Sequence, residues 1–181
     1  DSILEKTVIL GSGDDILKVG SSLVEAPASD SIHGGSGLDK LLITFDGAIT
    51  VGPTISSFEV IELSSNGESI LDFSKISDLE ALNVIESSSG VSLTKIPFDL
   101  TNFNVSGSQT GAWSFDFENN SDSMVNLNWS NETGTPVTIT SLTFNEVQSL
   151  SIISGGSNDV SLAALSLDSD DTKLVNFTNT G

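Results

Sequence analysis

Two glycine-aspartate phrases hold the residues best suited to chemistry. Gly34-Gly35-Ser36-Gly37-Leu38-Asp39-Lys40-Leu41-Leu42 fills every fixed position of the nonapeptide pattern G-G-x-G-x-D-x-U-x. Gly11-Ser12-Gly13-Asp14-Asp15-Ile16-Leu17 matches the same pattern from its second glycine onward, with Leu10 in place of the first. Glycine tolerates the backbone angles that turn successive carbonyl oxygens toward one point, and an aspartate at the start of the next strand adds negative charge. Hard oxygen donors of this kind suit Ca2+. The candidate metal-binding residues are therefore Gly11, Gly13, Asp15, Gly35, Gly37 and Asp39.

For the two phrases to cooperate, residues about two dozen positions apart must lie on top of one another, and the apolar pattern supplies that geometry. Triplets of apolar, polar and apolar character recur as Leu17-Lys18-Val19, Ile61-Glu62-Leu63, Leu82-Asn83-Val84, Phe103-Asn104-Val105, Leu127-Asn128-Trp129, Leu150-Ser151-Ile152 and Val175-Asn176-Phe177, with the wholly apolar Leu41-Leu42-Ile43 as one further member. Successive triplets start 20 to 25 residues apart. Alternation with period two marks strands rather than helices. A second series falls between them, at Ile49-Thr50-Val51, Val91-Ser92-Leu93, Trp113-Ser114-Phe115, Val137-Thr138-Ile139 and Val160-Ser161-Leu162, with Ile70, Leu71 and Phe73 as a less regular member. Each repeat thus holds two short strands separated by turn formers such as Gly52-Pro53, Ser106-Gly107-Ser108 and Gly134-Thr135-Pro136. The fold class predicted is all-β, a parallel β-helix (β-solenoid) of about eight coils, forming a single domain over residues 1–181 with the candidate calcium coils at 11–43.

The rival architecture is an antiparallel sandwich, for which Asp46-Gly47 and Asn66-Gly67 are the plausible hairpin turns. A constant coil length has no reason to exist in a sandwich. A helical reading of 76–87 is set aside because Ile76 to Val84 repeats the apolar, polar and acidic positions of Ile55 to Leu63.

Stacking would place Asp15 above Asp39 at about 4.8 Å, close enough for one ion taking oxygens at roughly 2.3–2.6 Å to sit between two layers. The residue two before each triplet traces the same edge, and its first four members, Asp15, Asp39, Glu59 and Glu80, are all acidic. Bare carboxylates at that spacing repel by roughly 3 kcal/mol per pair at an effective dielectric near 20, before screening. A cation removes that cost. No glycine approach precedes Glu59 or Glu80, so those two are read as solvated.

Composition agrees with a cationic ligand. Six basic residues face 25 acidic ones, a net charge of −19, which opposes nucleic acid and acidic membrane surfaces. There is no cysteine, and His33 is the one histidine, so neither a thiolate centre nor a histidine-rich zinc site can be assembled from this chain. No apolar run reaches the length of a membrane-spanning helix.

Gly11 to Leu17 and Gly34 to Leu42 resemble the calcium-binding repeats of RTX proteins. The Ser/Thr/Asn-rich coils that follow, with the shared phrase beginning at Ile55 and Ile76, resemble the β-solenoid regions of bacterial surface-layer proteins and RTX adhesins. That resemblance implies export to the cell surface, folding on meeting calcium, and self-association with neighbouring copies as a segment of a larger structural protein of the surface layer (S-layer). It also implies a cell-surface polysaccharide anchor as a partner. The alternatives are an adhesin that binds a glycan or host surface, and a β-helical polysaccharide-degrading enzyme.

Secondary candidates are Gly155-Gly156-Ser157-Asn158-Asp159, a shortened relative of the turn, and the cluster Asp168, Asp170 and Asp171. The middle residues Glu62, Asn83, Asn104, Asn128, Ser151 and Asn176 should form one outward column of stacked polar side chains. Catalysis is not expected: His33, read as a corner residue, has no nucleophile turn beside it, and the carboxylate pairs Asp78/Glu80 and Asp116/Glu118 lack an evident basic or aromatic subsite.

Overall fold

A computed structural model describes residues 6–20, 23, 26–49, 52–118, 124–131, 137–156, 160–168 and 174–180. Every ladder among them is parallel. The chain winds into a β-solenoid of about six turns. One face is a column of eight strands: β2 (Ile16–Val19), β4 (Lys40–Ile49), β6 (Val60–Asp72), β7 (Ala81–Ser87), β9 (Asn102–Val105), β11 (Met124–Asn131), β13 (Ser149–Gly156) and β16 (Leu174–Asn179). The opposite face is shorter. It runs from the second halves of β4 and β6 through β8 (Gly90–Ile96), β10 (Thr110–Phe117) and β12 (Val137–Asn145) to β14 (Val160–Leu162) and β15 (Leu165–Asp168). Strands carrying all eight triplets stack in this column, whereas among the described residues the second face has six layers, and the number of turns falls below the eight expected.

The first coils have a third side, made by β1 (Thr7–Ser12), β3 (Ser31–Ser36) and β5 (Thr54–Ser56). The two glycine phrases form the corner between this side and the long column. The supposed hairpin turns are also corners of a solenoid: Asp46-Gly47 and Asn66-Gly67 lie within β4 and β6, which bend from one face to the other without reversing.

Alternation places the core. In register, Leu17, Leu41, Ile61, Leu82, Phe103, Leu127, Ile152 and Phe177 form one inward column, while Ile49, Leu71, Leu93, Phe115, Phe144 and Leu167 face it from the other side. Leu41, Ile61, Leu82, Leu93, Leu142 and Phe144 are sealed from solvent. Each such side chain stabilises the fold by about 1.5–3 kcal/mol relative to exposure. The middle coils are filled by aromatic rings: Phe115 stacks on Phe144 at 4.7 Å between centroids and meets Phe103 edge-on at 5.3 Å.

Two register details differ from the expectation. Between β11 and β13, Trp129 pairs with Ser154 and Asn128 with Ile153, so the triplet Leu150-Ser151-Ile152 sits two residues early. Ser151 and Asn176 consequently continue the column of Asn126 rather than that of Asn128. On the other face the equivalent of Trp113-Ser114-Phe115 is Leu142-Thr143-Phe144, whereas Val137-Thr138-Ile139 lies ahead of it, across a bulge after Gly111.

Candidate functional site: the glycine-aspartate corner

The corner begins with β1 and β3 in register, Gly11 beside Gly35 and Ser12 beside Ser36. Gly35 and Gly37 hold φ values of 114° and 141°, in the region that disfavours side chains. They also have no room for one: a Cβ on Gly35 would fall 1.9 Å from the Gly11 carbonyl oxygen, and one on Gly37 would fall 2.3 Å from that of Gly13. The nonapeptide glycines of the second coil are therefore set by direct backbone approach of the coil before it. Gly13 N–H donates to the Ser36 carbonyl at 2.7 Å, and Leu38 N–H donates to Asp14 Oδ1 at 2.9 Å, fastening the two turns together.

Asp15 and Asp39 meet as the spacing requires: Lys40 N–H donates to the Asp15 carbonyl, and Ile16 pairs with Lys40. The acidic side chains themselves are arranged in a way that sequence reasoning missed. Asp39 Oδ1 accepts the N–H of Asp15 at 2.8 Å, and Glu59 Oε2 accepts the N–H of Asp39 at 2.6 Å. Asp30 Oδ1 likewise accepts Lys6 N–H at 3.0 Å and Asp78 Oδ2 accepts Ser57 N–H at 3.2 Å. Each carboxylate reaches back one coil to a backbone donor that the turn leaves unpaired. The column of negative charge is thus held in part by backbone dipoles, and Glu59, read from sequence as solvated, belongs to the ladder. The signal available was the run of acidic residues at one position of successive coils.

One oxygen is left over. Asp39 is 1% exposed, and its Oδ2 is enclosed without a hydrogen-bond partner. A buried carboxylate oxygen in that state is costly unless a proton, water or cation reaches it. Donor chemistry at the corner consists of hard oxygens, carboxylates and carbonyls, which fits calcium and not a soft metal. Among the described residues no three Asp, Glu or His side chains converge on one point. An ion here would be held by Asp39 and Asp15 together with glycine carbonyls and water.

Among the described residues, the remaining sequence candidates stand elsewhere in the fold. His33 lies in β3 rather than at a corner, between Ile9 and Ser56, with Nδ1 buried and unpartnered. Gly155 and Gly156 end β13, while Ser157, Asn158 and Asp159 lie outside the described residues, as do Asp170 and Asp171; Asp168 ends β15. Glu80 lines an open groove of about 840 Å³ with Glu59, Asp78, Asp99 and Thr101. Asp78 there is tied to Ser57 N–H and Ser77 Oγ. On the second face Asp72 pairs with Lys95 at 2.9 Å. Burial pushes the Asp72 carboxyl up, but hydrogen bonds from Ser74 and Lys95 outweigh it and hold it below its ordinary value.

No family model matches the chain, and no curated protein or solved structure does either. Among the described residues no helix is long and apolar enough to cross a membrane. The class shown is a parallel β-solenoid.

Proposed function

We propose that this chain is a structural segment of a secreted bacterial surface-layer protein of RTX type, whose first coils take Ca2+ at the Asp15/Asp39 corner and whose solenoid associates with neighbouring copies. The observation that carries the reading is the enclosed, unpartnered Oδ2 of Asp39, which lies 2.9 Å from where a Cβ on Gly34 would stand, at the start of the turn whose Gly35 pairs with Gly11. Bound calcium would neutralise the acidic edge. Asp39 Oδ1 and Glu59 Oε2 position the corner through their backbone partners, so that Asp39 Oδ2 and the Asp15 carboxylate are the groups left to meet an ion. The high negative charge keeps copies apart until cations lower it.

The test is a calcium titration followed by melting temperature and particle size, with magnesium as the comparison. Calcium at about 100 times its dissociation constant adds about 2.7 kcal/mol, a rise of roughly 5–10 °C for a chain of this length, with growth in particle size. Asp15→Ala with Asp39→Ala should abolish both responses. A native chain whose melting temperature ignores calcium, or a double variant that responds like the native chain, sinks the assignment.

A further inference from the structure

The long column changes character halfway along. Strands β9, β11, β13 and β16 contain no Asp, Glu, Lys or Arg, in a chain that is 17% charged and carries −19 overall. Most of their outward positions are amides and hydroxyls in register: Asn102, Asn126, Ser151 and Asn176 form one row across the strands, and Asn104, Asn128 and Thr178 form the next, interrupted by Ile153 between Asn128 and Thr178. In the neighbouring row Asn104 Nδ2 donates to Asn83 Oδ1 at 2.8 Å, and Asn128 Nδ2 donates to Asn104 Oδ1 at 3.1 Å. That ladder fixes the amide planes. Each linked amide keeps a second N–H and a second lone pair to offer outward. Flanking the rows are two exposed apolar side chains, Met124 at 58% and Leu174 at 51%.

We propose that this charge-free sheet face binds a neutral polysaccharide chain lying across the strands. A neutral glycan presents hydroxyls that both donate and accept, together with patches of C–H surface, and the face offers amides, hydroxyls and apolar side chains in return. Anionic polymers are disfavoured by the chain's net charge of −19. Area also decides between occupants: four strands about 4.8 Å apart and about 20 Å long give roughly 400 Å², half the approximately 800 Å² per partner of a stable dimer. A linear polymer gains from a short patch repeated along its length, whereas a second copy does not. The assignment rests on the proposed surface location only for where such a glycan is met, and none of its residues belongs to the calcium corner.

Affinity electrophoresis of the chain tests it, in gels containing hydroxyethylcellulose, dextran or galactomannan, with alginate as the anionic comparison and EDTA present throughout. At least one neutral polymer should retard the native chain and alginate should not. Asn102→Asp with Asn126→Asp should lower the apparent affinity about tenfold. If that pair disturbs folding by circular dichroism, Asn176→Asp on the last strand should still weaken retardation. Absence of retardation by all three neutral polymers overturns the proposal, as does equal retardation of folded variants. A native dimer in sedimentation that Asn102→Asp with Asn126→Asp dissociates gives the face to a second copy and also overturns it. Because calcium is chelated throughout, a failure here leaves the calcium titration standing, and the reverse holds as well.

Discussion

The first coils and the middle coils are stacked on the same period by different means. Around Phe103, Phe115 and Phe144 the solenoid is held by interlocking rings, with neighbouring inward residues at 0–3% exposure. Around Gly11 and Gly35 the backbone of one coil lies directly on that of the next, and the inward residues Leu10, Leu17 and Val19 are only partly buried. The middle therefore draws its stability mainly from apolar burial, whereas the first coils add hydrogen bonds to carboxylates to a smaller buried set, Leu23, Ile32, Leu41 and Ile43. The comparison teaches that one repeat can be held by a packed core in one stretch and by carboxylate-to-backbone hydrogen bonds at a corner in another.

The comparison breaks most visibly at the rings. Phe115→Ala should cost about 3–5 kcal/mol and lower the global unfolding midpoint in urea, with calcium unable to restore it. Gly35→Ala comes next: its methyl group meets the Gly11 carbonyl and its φ is unfavourable, so a loss of about 2–3 kcal/mol is expected. Hydrogen exchange should place that loss in the coils before Ile43 while the middle amides stay protected. If Gly35→Ala loosens the middle equally, the two regions are not separable.

Smaller effects sharpen the picture. Asn104→Ala removes two links of the amide ladder and should cost about 1 kcal/mol by chemical denaturation, independent of calcium. The smallest effect is that of the Asp72–Lys95 pair. Because Asp72 in the folded chain lies below its ordinary value of 3.8, its contribution is complete above that value and disappears as pH falls through the lower, folded value. Asp72→Asn should therefore differ from the native chain by under about 1 kcal/mol at neutral pH and by nothing in strong acid.

Much of the architecture could be read from the residues because alternation and a steady period leave traces in composition. The repeat of Ile55–Leu63 by Ile76–Val84 is realised as ladder pairs from Val60 with Ala81 to Leu63 with Val84, preceded by a bridge between Ile55 and Ile76. The slip at Trp129 was hidden because the residue beneath it is Ser154, and a polar residue in an inward row gives no apolar signal to align. At the corner, the glycines were legible as turn formers, but not the contact that makes Gly35 and Gly37 obligatory, which depends on a carbonyl 24 residues earlier. Nor could composition reveal that Asp39 and Glu59 reach back to amide donors, since the same acids would serve a solvated edge equally well.

Strand partners throughout this molecule are near neighbours in the chain. Side chains and backbone donors that link one layer to the next at the acidic edge are 20 to 24 residues apart, and an inter-layer hydrogen bond on the other face, Asn145 to Asp116, spans 29. Winding one more layer closes a loop of nearly constant length, so its entropic cost does not grow with the number of layers already in place. A polypeptide built this way can be spooled up as it emerges from a narrow exit, each turn setting on the last without waiting for the far end to arrive.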